Sequence, residues 1–192
     1  MRKLLAAAVL LLAVAGVGYL YHSATTPYRT LPPVEVDAVQ AAAAERKLDA
    51  LRNAGAGAGN AAPQTAVSES FSDSELSSLA NRDLQGQSIP LDNLVLHATA
   101  NRTIEGQATA HWAGQSLPLF VVVTIEVVGG NRLQVTVVDS KLGQLSVPQS
   151  LSDQIESALS QSLDLGVTGN IEQLTINVTE GWVTVSGVTT TA

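Results

Sequence analysis

Between Leu117 and Val128 the chain reads LPLFVVVTIEVV, and ten of these twelve positions are apolar or proline. The run is too short for a membrane-spanning helix, which needs about twenty residues. β-Branched residues dominate it and Gly lies on either side, so it predicts a strand covered on both faces. A small antiparallel protein needs only one dry sheet face. The second one calls for something to cover it.

The neighbouring pattern alternates with period two. Leu94, Leu96, Ala98 and Ala100 define one strand face, and Ile104, Gly106, Ala108, Ala110 and Trp112 the next. These faces coincide with Asn101-Arg102-Thr103 as a turn, placing Leu96 opposite Ala108. After the central run, Gly129-Gly130-Asn131 turns the chain so that Val127 meets Leu133, Ile125 meets Val135 and Val123 meets Val137. On the reverse face this register puts Phe120, Val122 and Val138 together as a second dry patch. Farther on, Leu174, Ile176 and Val178 face Val183 and Val185 across a Glu180-Gly181 turn, with Trp182 pointing away.

Helical periods frame the strands. Ser72 and Glu75 in SFSDSEL form a capping box after a short strand over 65–70, and Phe71 and Leu76 suit a hydrophobic staple. Leu76, Leu79, Ala80 and Leu84 make the buried stripe of that helix, and Gly86 its stop. Pro148 opens a second helix, with Leu151, Ile155, Ala158, Leu159 and Leu163 on one side. The order β-α-ββββ-α-ββ predicts an α+β domain, a twisted antiparallel sheet wrapped around amphipathic helices.

Upstream, Arg2-Lys3 precede eighteen uncharged residues, Leu4 to Tyr21. This predicts an N-terminal transmembrane helix with a cytoplasmic N-terminus, the alternative being a cleaved signal peptide. Val34 to Asn53 reads as a helix with Val36, Val39, Ala43, Leu48 and Leu51 on one side, either a juxtamembrane stalk or a helix docked on the domain. Ala54 to Pro63 has no side chain able to build a core and reads as a linker. The division is 1–24 anchor or signal, 25–66 juxtamembrane helix and linker, and 67–192 extracytoplasmic domain.

Composition narrows the chemistry. The chain lacks Cys, so disulfides, thiol catalysis and Cys metal sites are excluded. Net charge is −7, and after Asn60 four basic residues face thirteen acidic ones. No nucleic-acid partner is expected on that balance. His97 and His111 lie on the polar face in rows about 13 Å apart, at roughly 3.3 Å per residue, too far to share a metal. There is no calcium loop and no Gly-x-Ser-x-Gly elbow, and Gly129-Gly130-Asn131 joins two strands rather than cradling phosphate. Neither catalysis nor a cofactor or metal is expected.

The C-terminal block LQVTVVDSKLGQLSVPQSLSDQIESALSQSL, followed by IEQLTINVTEGWVTVSG, resembles the LmeA-like phospholipid-binding proteins of bacteria. The shared features are a strand, an LG-x-L-x-VP crossover, an amphipathic helix and a hairpin. The membrane-anchored YpmS-like proteins are similar too, with a span followed by an SDSEL-type helix start. The likeness covers roughly residues 67–188 and implies a tubular lipid-binding fold, in which helix and curled sheet enclose a groove for a phospholipid or fatty acyl ligand. It supplies no catalytic motif. The apolar positions that would line such a groove are Leu117, Leu119, Phe120, Val122, Val138, Leu151, Ile155, Leu159 and Trp182. The expectation is a single-pass, membrane-anchored, extracytoplasmic lipid-binding domain. The alternative is a cell-envelope scaffold with a protein partner and no lipid.

Overall fold

The computed structural model describes residues 21–54, 66–85, 91–112, 114–128, 132–147, 149, 153 and 171–189. Its α+β class and antiparallel pairing agree with the sequence pattern, but the strands divide between two sheets. Strands β2 (Leu91–Ala98), β3 (Ile104–Trp112), β4 (Gln115–Val128), β5 (Arg132–Leu142) and β6 (Leu145–Ser146) form a five-stranded meander. Strands β1 (Ala66–Ser72), β7 (Ile171–Thr179) and β8 (Trp182–Thr189) form a second sheet, in the order β1-β8-β7. Helices α1 (Ala38–Ala54) and α2 (Asp73–Gln85) pack beside them. The helix expected from Pro148 lies outside the described residues, except that Gln149 Nε2 donates to Asp153 Oδ1 one helical turn on.

The register of the long hairpin follows the apolar pattern near its turn. Val127 pairs with Leu133, Ile125 with Val135 and Val123 with Val137. A bulge then intervenes, so that Val122 faces Asp139, Phe120 faces Lys141 and Leu119 faces Leu142. Its cause is a change of parity in the sequence. Val135 and Val137 are inward at odd positions, whereas the next large apolar residue, Leu142, is even. One extra residue lets all three point into the core, at the cost of leaving Val138 unpaired. The expected Val122–Val138 row therefore does not form.

Strand β2 departs in the same way. Ala98 pairs with Ile104, so the turn spans 99–103, and Leu96 lies opposite Gly106 rather than Ala108. The shift is two residues, which preserves the faces. A second bulge at Asn93 (φ 55°), a residue type that tolerates the left-handed region, brings Leu91 opposite Ala110. The β7–β8 turn at Glu180-Gly181 is as expected, with Val178 opposite Val183 and Gly181 at φ 75°.

The main core joins the inner face of the five-stranded sheet (Leu94, Ala98, Ile104, Ala108, Ala110, Leu117, Leu119, Val121, Val123) to Val178 and Val183 of the other sheet. A second cluster gathers Ala44, Leu48 and Leu51 of α1 with Phe71, Leu174 and Val185. Of the two readings of the first helix, the structure has the docked one. Each buried Leu contributes about 1.5–3 kcal/mol, more than enough to hold it. The stripe differs from the expected one: Ala41, Ala44, Leu48 and Leu51 are buried, while Val36 and Val39 are exposed. Small Ala side chains allow close approach. Asp37 caps the helix, accepting from Gln40 N at 2.7 Å.

Helix α2 also differs from expectation. Its capping box is present, with Ser72 N donating to Glu75 Oε2 at 2.9 Å and Glu75 N to Ser72 Oγ at 3.3 Å. Yet its most buried residues are Asp73, Glu75, Ser77 and Ser78, while Leu76, Leu79, Ala80 and Leu84 are half-buried. Asp73, Ser77 and Asn81 face the free edge of β2. Ala98 N donates to Asp73 Oδ1 at 2.9 Å, Leu96 N to Ser77 Oγ at 2.8 Å, and Leu94 N to Asn81 Oδ1 at 3.0 Å. Ser77 and Asn81 also donate to the Leu96 and Leu94 carbonyls. Four helix residues advance about 6.0 Å and two strand residues about 6.7 Å. Side chains at every fourth helix position can thus serve every second strand position, and α2 replaces a missing neighbouring strand.

Candidate functional site

The central strand does have two covered faces, and the chain supplies the second cover itself. Residues 23–37 cross the outer face of the five-stranded sheet as a strap. Gln144 N donates to Ser23 O at 2.8 Å, beside the Gly143–Pro118 backbone bond. The Tyr28 ring lies 5.5 Å from the Phe120 ring. Arg29 pairs with Glu105 at 2.5 Å. Leu31 is buried, and its N–H donates to Gln107 Oε1 at 2.9 Å. Asp37 N then donates to Ser78 Oγ at 3.1 Å, where the strap reaches α2. Gln107 and Lys141 are the cross-strand partners of Phe120, and Phe120 is only 3% exposed.

The nine expected lining positions do not share one surface. Leu117 and Leu119 lie on the inner face, among the main core. Phe120 and Val122 lie on the outer face, Phe120 beneath the strap and Val122 between Glu105 and Asp139. Val138, set free by the bulge, is 61% exposed. Trp182 is 48% exposed on the other sheet. The outer patch at Phe120 is therefore covered by the chain's own strap. Leu151, Ile155 and Leu159 lie outside the described residues. An open groove of about 300 Å³ does occur between the N-terminal half of α1 and α2, walled by Val36, Ala41, Ser78 and Arg82. None of the six described positions lines it.

His97 has partners that strand alternation does not reveal. It pairs with Glu105 across the sheet, and its ring sits between two carboxylates from other elements. Nδ1 is 2.5 Å from Asp73 Oδ2, and Nε2 is 3.3 Å from Glu180 Oε1. Around it, Gly181 N donates to Ala98 O, Asp73 N to Gly181 O and Ala100 N to Glu180 Oε2. The group is a seam linking the two sheets and the start of α2. His111, at the other end of β3, contacts Asp92 at 2.6 Å and Ser116 at 3.0 Å. Among the described residues no group of His, Asp or Glu is placed to hold a metal ion.

Glu75 is the best-held carboxylate. Lys47 of α1 reaches it at 2.7 Å, bonds the Ser70 carbonyl and lies 5.8 Å over the Phe71 ring. Burial by itself pushes the Glu75 carboxyl up. Hydrogen bonds from Lys47 and the Ser72 N–H, with the Lys47 charge, more than offset this and hold it below its ordinary 4.5. This pairing locks α1 onto the capping box of α2.

Three of these contacts carry a sequence signal. Asp37 and Gln40 have capping-box spacing, the parity change before Leu142 marks the bulge, and Tyr-Arg-Thr-Leu-Pro-Pro (28–33) suits an extended strap. The partners of His97 carry none, because they come from elements 24 and 83 residues away. Among the described residues no helix is long and apolar enough to cross a membrane; of the apolar run Leu4–Tyr21, only Tyr21 is among them. Comparison with protein-family models, with curated proteins and with solved structures found no match, so a functional reading rests on the geometry and the sequence.

Proposed function

We propose that this chain is a membrane-tethered, extracytoplasmic, non-catalytic domain that holds the acyl part of a phospholipid or fatty acid. The acyl chain lies along the inner face of the five-stranded sheet, at Leu117 and Leu119. The observation that carries this reading is the inner face itself. It is apolar across four strands, with the small residues Ala108 and Ala110 of β3 opposite Leu119 and Leu117 of β4. A chain laid there gains about 0.8 kcal/mol per buried methylene, with no headgroup charge needed. The apolar run 4–21 supplies the tether, with the N-terminus cytoplasmic. The resemblance to the LmeA-like proteins supports the same ligand class.

The test is native mass spectrometry on a domain folded in place. A protease site inserted between Tyr21 and His22 lets the full chain insert into vesicles and then releases the domain without detergent. Retained masses matching a phospholipid or fatty acid are expected. A bare domain that also refuses added lipid refutes the reading. It would favour the alternative of an envelope protein-interaction domain, for which Val138 and Trp182 are among the exposed apolar side chains.

A further inference from the structure

The strap leaves no slack between tether and domain. Residues 21–25 are helical, and Thr25 Oγ1 and Thr26 Oγ1 bond the Tyr21 and His22 carbonyls, closing that helix. Ser23 is already buried, and its carbonyl accepts from Gln144. At Gly143 the approach is backbone to backbone: a Cβ there would stand 2.2 Å from the Ala24 oxygen, and φ is +60°. The last apolar residue of the run, Tyr21, is thus two positions from a fixed point on the β5–β6 turn.

Charge agrees with that placement. In a chain of net charge −7, no Asp or Glu occurs between Gly106 and Ile125 or between Ser140 and Ser152. These stretches supply the β3–β4 turn, with Trp112 paired to Gln115, and the β5–β6 turn. Asp92, the carboxylate nearest on β2, is held by His111. The carboxylates of the seam, Asp73 and Glu180, gather at the opposite end of β3.

From this continuity we infer that the β3–β4 and β5–β6 turns form a bilayer-contacting edge, so that the domain stands on the membrane rather than hanging from a stalk. The inference rests on the proposed tether and says where a lipid chain enters, at the end of the inner face nearest the bilayer. Arg102, some nine residues along the sheet, then lies about 30 Å from that edge at 3.3 Å per residue.

Because the chain has no native Cys, single cysteines report alone. The full chain carries a fluorophore at Leu12, Gln144 or Arg102 in turn, in phosphatidylcholine–phosphatidylglycerol vesicles with headgroup-attached or chain-attached nitroxide quenchers. The expected result is Leu12 quenched from the bilayer core, Gln144 quenched several-fold more by headgroup nitroxide than Arg102, and Arg102 quenched only from water. Inserting eight Gly/Ser residues between Tyr21 and His22 should abolish the Gln144 signal while the strap stays bound. If Leu12 is in the core but Gln144 and Arg102 behave alike, the edge is overturned and the tether stands. An aqueous Leu12 overturns the tether, and the edge with it.

Discussion

Replacing Ser77 with Ala removes one hydroxyl that serves both backbone groups of Leu96 on the edge of β2. Ser77 is 0% exposed, so water does not take its place. A stranded buried donor or acceptor costs about 1–3 kcal/mol. Two such groups on a half-buried residue cost about 2–3 kcal/mol together, and the better helix propensity of Ala returns about 0.5. A net loss near 2 kcal/mol is expected, and a midpoint lower by roughly 4–8 °C for a chain of this size. Urea and thermal unfolding of the full chain in micelles, followed by circular dichroism, measure it. Hydrogen exchange localises it: the Leu96 amide should exchange up to about 30-fold faster, since each 1.4 kcal/mol is tenfold. Ser74→Ala on the same helix should stay within about 0.5 kcal/mol. If Ser77→Ala is equally silent and Leu96 remains protected, α2 does not substitute for a strand.

The strap and the α1 lock give further expectations. Arg29→Ala should strand Glu105, whose Oε2 is already buried without a partner, and cost about 1–2 kcal/mol; adding Glu105→Gln should recover part of it, read by unfolding of the single and double variants. Gly143→Ala forces a Cβ against the Ala24 carbonyl, so the Gln144 amide should lose protection and proteolysis after Arg29 should accelerate in hydrogen-exchange and limited-digestion assays. Glu75 binds its proton more weakly in the folded chain than in the unfolded one. Its contribution is therefore complete above pH 4.5 and fades as pH falls through the lower folded value. Unfolding midpoints between pH 6 and pH 3 should fall more steeply in the native chain than in Glu75→Gln.

Local pattern made much of the fold legible. Periodicity and turn chemistry located β2 to β5, the β7–β8 hairpin and the capping box, because each depends on residues close in sequence. The errors came from long-range demands. The expected Val122–Val138 patch assumed an unbroken register, whereas Leu142 needed an inward position and a bulge supplied it. The apolar stripe of α2 lost deep positions to Asp73 and Ser77, because an open strand edge needs hydrogen bonds more than it needs methyl groups. The second dry face at Phe120 was visible in the sequence, but what covers it was not. Tyr28 and Leu31 arrive from about ninety residues upstream, in a segment whose own pattern is irregular. Of the candidate lining, Leu117 and Leu119 keep an inner-face position, while Phe120, Val122, Val138 and Trp182 do not join them.

The most direct test of the account is photolabelling of the full chain in vesicles containing a phospholipid with a photoreactive acyl chain. The account expects labelled peptides from two places, the tether over 4–21 and the inner face at Leu117 and Leu119. A Leu119→Asp variant should lose the second signal and keep the first. Label confined to residues 4–21, with none on strand β4, would contradict the claim that this sheet holds an acyl chain.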